Sequence, residues 1–177
     1  HLGASVLGRE CRRALWLAFR WADLRETDGR VLRLFRRGKL EEDQLVADLR
    51  AAGCEVITHD ERGRQYGFRD VGGHVGGSMD GAVLGVREAP KTWHVLEIKT
   101  HNARSFADLK KNGVQKSKPE HWAQMQLYMH WSEMTRALYL AVCKDTDEIY
   151  AERIEYDRAA AEALIAKGRV IVAAPEP

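Results

Sequence analysis

The sequence predicts an α/β protein: a central mixed β-sheet flanked by helices, in the order helix, helix, three strands, helix, two strands, helix. Three observations carry this reading. Apolar residues recur at helical spacing in 5–21 and 38–53, and side chains alternate with a period of two in 93–100, 137–144 and 148–156. A glycine-punctuated ribbon, "GGHVGGSMDGAVLGV" at 72–86, joins the helical part to the strands. The 177 residues, 45% of them hydrophobic, suffice for one domain over 1–177 with its own core.

Residues 5–21 read as a helix with Ser5 as N-cap and apolar Val6, Leu7, Leu15, Leu17 and Ala18. In Gly38–Gly53, Leu40, Leu45, Val46 and Leu49 keep helical spacing, and Gly53 stops the helix. "CEVITHD" (54–60) reads as a strand, "ERGR" as its turn, and 65–71 as the strand pairing back. The ribbon 72–86 stays extended, and 93–100 is the next strand. A short helix is expected at 105–111. Pro119 suits the first turn of a longer helix ending near Met134. Residues 137–144 and 148–156 form a hairpin around Asp145–Asp147, and Asp157 caps a last helix through about Lys167. There is no internal repeat, low-complexity tract or linker.

Composition narrows the function classes. No apolar run approaches the ~20 residues of a membrane span, and Arg9, Arg12 and Arg13 interrupt any signal-peptide pattern. The chain opens at His1 rather than Met, so upstream residues are taken to be missing. Cys11, Cys54 and Cys143 are few, odd in number and widely spaced. They fit a reducing cytosol, and Cys11 reads as a small buried residue. The net charge is only +2, but it is unevenly spread. Residues 9–37 hold nine arginines against four acids, and 99–118 hold six Lys/Arg against Asp108 alone. Such clustering suggests a polyanionic partner; the plainer reading is solvated helix faces.

The stretch "WHVLEIKT" (93–100) sets Glu97 and Lys99 on one face of a strand whose other face is apolar Leu96 and Ile98. Buried charges need partners. Asp80, in "GSMDGAV" on the preceding extended segment, lies within reach if the two segments pair at ~4.8 Å. Two carboxylates and the Ile98 carbonyl are hard oxygen donors suited to Mg²⁺ or Mn²⁺. Lys99 is then the charge beside the metal, offsetting negative charge on a phosphoryl oxygen. The plainer reading is an Asp in a turn and a Glu–Lys pair on an exposed face. In "HWAQMQLYMHW" (121–131), Gln124 and Tyr128 stand four apart with His121 one turn earlier, while Trp122, Met125, Leu127 and Met129 pack. Glu42 sits on the second helix, where it can reach the same place.

Gly38-x-x-x-Glu42, Asp80-Gly81, Glu97-Ile98-Lys99 and Gln124-x-x-x-Tyr128, in that order, resemble the PD-(D/E)XK nuclease superfamily. The similar branch is the RecB-like and lambda-exonuclease-like phage recombination exonucleases. The resemblance spans 5–156 and implies a restriction-endonuclease-like core. It implies Asp80 and Glu97 as metal ligands with the Ile98 carbonyl, Lys99 as the catalytic lysine, Glu42 as an added acid, and Gln124 and Tyr128 as organisers of the site. Met79, not Pro, precedes Asp80. Ser5 and Cys11-Arg12-Arg13 resemble the first helix of relatives holding an iron–sulfur cluster, but the further cysteines are absent before "VAAPEP". No cluster is expected in this chain unless a tail follows. His74, in the glycine-rich ribbon, reads as a plain ribbon residue or as a contact to substrate or Asp80. The surrounding glycines let strands bend or DNA approach.

The expectation is a Mg²⁺- or Mn²⁺-dependent exonuclease acting on duplex DNA ends in phage-type recombination. Arg104, Lys110, Lys111, Lys116 and Lys118, with Arg12 and Arg13, would hold the DNA, and "KNGVQKSK" (111–118) would be an exposed loop. A single-strand annealing protein is an expected partner, an oligomer is compatible, and no membrane is involved. The alternatives are a catalytically silent DNA- or partner-binding protein with a nuclease fold, or a CRISPR-adaptation or repair nuclease.

Overall fold

The computed structural model, which describes residues 1–22 and 26–177, is built on two sheets that meet at Asp80. The larger has the order β2(Glu55–Ile57)–β5(Gly81–Leu84)–β6(His94–His101)–β7(Arg136–Cys143)–β8(Ile149–Glu155). Only β6 and β7 run parallel; the other neighbours are antiparallel. The smaller has β4(Val75–Ser78) between β1(Leu2–Gly3) and β3(Gly67–Asp70). The helices are α1(Ala4–Leu7), α2(Arg12–Phe19), α3(Gly29–Ala51), α4(Ala103–Ser117), α5(Pro119–Ser132) and α6(Arg158–Ala173).

Alternation along β6 and β7 divides the core. Leu96, Ile98, Leu138, Leu140 and Val142 pack against Leu45 and Val46 of α3. Val95, Ala137, Tyr139 and Ala141 belong to the other layer, with Met125, Leu127, Tyr128 and Met129 of α5 and Ile165 of α6. Glu97 and Lys99 therefore face the α5 layer. The mixed, helix-flanked sheet expected from the sequence is what forms.

Several expected elements differ. The first helix is two. Gly3 stands at the N-cap of α1 where Ser5 was expected, and the chain breaks at Gly8 before α2 begins. A Cβ on Gly8 would lie 2.8 Å from the Ala123 Cβ and 2.9 Å from the Glu120 Cα, so the break brings the backbone against α5. Cys11 is exposed, not buried. Its Sγ accepts from the Ala14 N–H at 3.5 Å and caps α2. The second helix starts at Gly29, capped by Asp28, rather than at Gly38. Residues 65–71 touch the 54–60 segment only at the His59–Gln65 bridge; β3 instead pairs with β4. The ribbon 72–86 is split into β4 and β5, and a 3₁₀ turn at Val71–Gly73 precedes them. Residues 111–117 are helical, not a loop, and α6 runs to Ala173. The observed order thus adds β1, and the short helix expected at 105–111 is the longer α4 that runs up to α5. Asp23 and Arg25 of the basic segment 9–37 lie outside the described residues. Among the described residues no helix is long and apolar enough to cross a membrane.

Candidate active site

The site forms where the chain crosses between sheets. Ser78 ends β4 in the small sheet and Gly81 opens β5 in the large one, leaving Asp80 in the crossing. Gly81 pairs with Leu96, so Asp80 falls beside the Glu97–Ile98 step of β6. Its Oδ2 accepts from the Ile98 N–H at 2.8 Å. A Cβ on Gly81 would come 2.8 Å from the Ile57 carbonyl oxygen, so the residue after Asp80 must be small.

Glu97 is fully buried. Lys99 Nζ donates to its Oε1, and also approaches the Ile98 carbonyl at 3.3 Å. Glu97 Oε2 has no hydrogen-bond partner among the described residues. Burial pushes the Glu97 carboxyl up to about 7; Lys99 opposes the rise, while Asp80 and Glu42 add to it. Burial works against the Lys99 charge, yet Glu97, Asp80 and Glu42 hold its pKa above the ordinary lysine value. Lys99 is therefore held as an ammonium ion beside Glu97.

Glu42, half-buried on α3, receives Lys39 Nζ at 2.6 Å. Burial raises its carboxyl; Lys39 lowers it and Asp80 raises it further. On α5, Gln124 Nε2 donates to Tyr128 Oη at 3.2 Å, and Tyr128 donates to the Ser78 carbonyl at 2.7 Å. Tyr128 thereby ties α5 to the end of β4. A Cβ on Gly77 would lie 2.7 Å from Tyr128 Oη. That glycine serves a contact within the protein, as does Gly76, whose Cβ would meet the Phe68 carbonyl oxygen. Gln124 Oε1 is buried without a partner among the described residues.

A cleft of about 630 Å³ is lined by Glu42, Asp80, Ile98, Lys99, Lys118 and His121, while the buried Glu97, Gln124 and Tyr128 lie behind its lining. Leu34 and Phe35 of α3 form its lip. A hollow of similar size, about 640 Å³, along β8 contains none of the expected site residues. The sequence reading missed the cleft-lining His101, Ser105 and Thr100. The signal for His101 was available, because it continues the Glu97–Lys99 alternation by one more step.

The structure scatters other expected residues. Lys110 pairs with Glu148 at 2.7 Å, and both line a separate hollow with Lys111 and Cys143. Arg104 and Lys116 are exposed on α4. Arg12 and Arg13 are exposed on α2, where Arg12 acts on Lys167 of α6. The His74 ring meets Phe19 edge-on at 5.6 Å and does not line the cleft.

Among the described residues no three His, Cys, Asp or Glu side chains converge as a metal-binding group. The donors at hand are two carboxylates, Asp80 and Glu97, and the Ile98 carbonyl. An orphaned buried carboxylate oxygen beside a second carboxylate is what a hard divalent cation satisfies, so this donor set fits one.

This architecture is a nuclease fold, and solved structures share it over nearly the whole chain. An alkaline exonuclease (LHK-Exo) from Laribacter hongkongensis aligns with a TM-score of 0.66 and 21% identity, covering 97% of this chain and 85% of that one. LHK-Exo in complex with dAMP aligns at 0.68 with 20% identity, over 97% and 86%. A phage-related exonuclease from Haemophilus somnus 129PT aligns at 0.58 with 14% identity, over 90% and 78%. The chain thus shares its fold with these exonucleases. No protein-family model and no curated protein matches the sequence.

Proposed function

We propose that this chain is a metal-dependent DNA exonuclease that hydrolyses phosphodiester bonds from duplex ends, in phage-type recombination. The observation that carries it is the fully buried Glu97, one oxygen on Lys99 and the other unpartnered, directly behind a cleft lined by Asp80, Ile98 and Lys99. Few structural roles account for a buried carboxylate left half-satisfied. Mg²⁺ or Mn²⁺ bound by Asp80, Glu97 and the Ile98 carbonyl would polarise a phosphoryl oxygen and make bound water acidic. Lys99 directs its ammonium at negative charge developing on the phosphate. Gln124 offers its unpartnered amide oxygen to a water or sugar hydroxyl, and Tyr128 holds that amide in place. Glu42 adds negative charge at the α3 side. Lys118 at the cleft, and Arg104 and Lys116 nearby in sequence, supply cations for the DNA backbone; Arg12, Arg13, Lys110 and Lys111 would meet it only along a longer path. An annealing protein would take the single strand left behind.

The test is incubation of end-labelled linear and circular DNA with Mg²⁺, with Mn²⁺ and with neither. Linear duplex should be degraded from its ends and the circle spared. Lys99→Ala should lose on the order of 10²–10³ in kcat, the scale of one lost charge-stabilising donor. Binding of linear DNA with no cutting under either ion would leave the catalytically silent alternative standing instead.

A further inference from the structure

Beyond Lys99 the cleft has a second wall of different character. His101 continues the same face of β6 and is buried. Its Nε2 lies 2.9 Å from Tyr139 Oη and its Nδ1 3.0 Å from Ser105 Oγ. His121, on the first turn of α5, places Nδ1 2.8 Å from the same Tyr139 hydroxyl. With Nδ1 turned inward, Nε2 is the polar atom left to the His121 ring, and that ring lines the cleft. Lys118 lines it too, and the carboxylate nearest its ammonium is the exposed Asp108 at 3.3 Å.

One hydroxyl carries one proton, so Tyr139 donates to one imidazole and accepts from the other. The ring that accepts from Tyr139 is then neutral. Burial first, with Lys99 and Lys118 adding to it, holds His101 down at about 4 and His121 at about 3. The chain that turns an N–H toward the cleft is the one in which Tyr139 donates to His121. His121 Nε2 then carries its proton toward the cleft, His101 Nε2–H donates to Tyr139, and Ser105 donates to His101 Nδ1. In that arrangement Tyr139 and Ser105 spend their protons on the two rings, and the cleft is offered the His121 N–H and the Lys118 ammonium. Such a donor wall matches a phosphate better than a base. A neutral imidazole adds a donor there without adding repulsion against Lys99 and Lys118.

We infer that His121 and Lys118 form a second phosphate subsite, which holds a backbone phosphate next to the one being cut. Tyr139, His101 and Ser105 are positioning residues that set the His121 tautomer. The subsite rests on the nuclease reading for its place in a reaction, but its chemistry is read in binding alone.

The experiment measures affinity for a short duplex without divalent cation, so that no cutting intervenes. Each of the first phosphates from the end is replaced in turn by an uncharged methylphosphonate. At one position the wild type should lose about tenfold in affinity, the scale of a charge-assisted hydrogen bond. His121→Asn keeps an amide at the Nδ1 position for Tyr139 but removes the cleft-facing nitrogen; Lys118→Met removes the ammonium. Each should lose about tenfold on ordinary duplex and little more on that methylphosphonate, a non-additive cycle. His121→Gln, which returns an amide near the Nε2 position, should recover part of the loss. A substitution that merely damages the fold would leave the methylphosphonate penalty at its wild-type size. That result, or a wild type indifferent to every position, overturns the subsite. Adding Mg²⁺ afterwards judges the nuclease reading separately: an intact cycle with no cutting sinks that reading and not this one.

Discussion

At the scale of single residues, Glu97 has the least ordinary environment. A carboxylate with no exposure is costly, and here only one oxygen is compensated. A carboxyl pushed up to about 7 is divided between its charged and neutral forms near neutrality. A cation on Oε2 would hold it charged. Glu97→Gln keeps the shape and removes that possibility, and Asp80→Asn does the same across the crossing. Both should abolish the heat of Mn²⁺ binding in calorimetry while Lys99→Ala retains it; binding unchanged in both carboxylate variants would remove them as ligands. Glu97 and Lys99 were legible because strand alternation is local. The same alternation reached His101, but the reading stopped at Thr100. Asp80 was legible as a neighbour of Glu97, although its hydrogen bond to the Ile98 N–H depends on a sheet-to-sheet crossing that no local pattern encodes. The His121–Tyr139 bond joins residues 18 apart on different elements, and nothing in either segment announces it.

At the scale of elements, α4 shows how a distant group rewrites a local signal. "KNGVQKSK" has one large apolar residue and a glycine, so local propensity favours a loop. The helix nevertheless continues past a kink at Gly113, where φ is 72° and ψ 173°. Glu152 of β8 accepts from the Val114 N–H at 2.8 Å, replacing the carbonyl that the kink removes, and Val114 itself is buried. That backbone region is almost confined to glycine. A Cβ on Gly113 would also sit 3.4 Å from a Glu152 carboxylate oxygen. Gly113→Ala should therefore lower stability by roughly 1–3 kcal/mol in urea unfolding; an unchanged midpoint and slope would mean the kink is not held. The early start of α3 was hidden for a different reason. Leu32, Leu34 and Phe35 on its first turns are exposed, so no buried stripe marks them, and Asp28 as a cap was the one usable sign. By contrast β6, β7 and α5 bury long continuous stretches, and their bounds fell within a few residues of expectation.

At the scale of the whole molecule, the histidines that build the donor wall also couple stability to pH. His101 and His121 fold with values of about 4 and about 3 against an ordinary 6.5, and burial lowers His94 as well. A depressed histidine binds its proton in the unfolded chain first, so each favours the folded state above pH 6.5 and loses that contribution as pH falls toward its folded value. Glu97 acts in the opposite sense. Raised from 4.5 to about 7, it takes up a proton in the folded state first and adds stability as pH falls through that window. Between about 7 and 6.5 only Glu97 titrates differently, and stability should rise slightly on acidification. Between 6.5 and 4.5 the unfolded chain holds the protons of His101 and His121 against the one on folded Glu97. The net excess grows toward one proton, so the loss approaches about 1.4 kcal/mol per pH unit. Urea unfolding at steps from pH 7.5 to 4.5, with a chelator present, should show a maximum near 6.5–7 and a decline below it. His121→Asn, with one such histidine fewer, should decline less steeply. Stability that stays flat or grows from pH 6.5 to 4.5 would mean that these rings are charged in the folded protein.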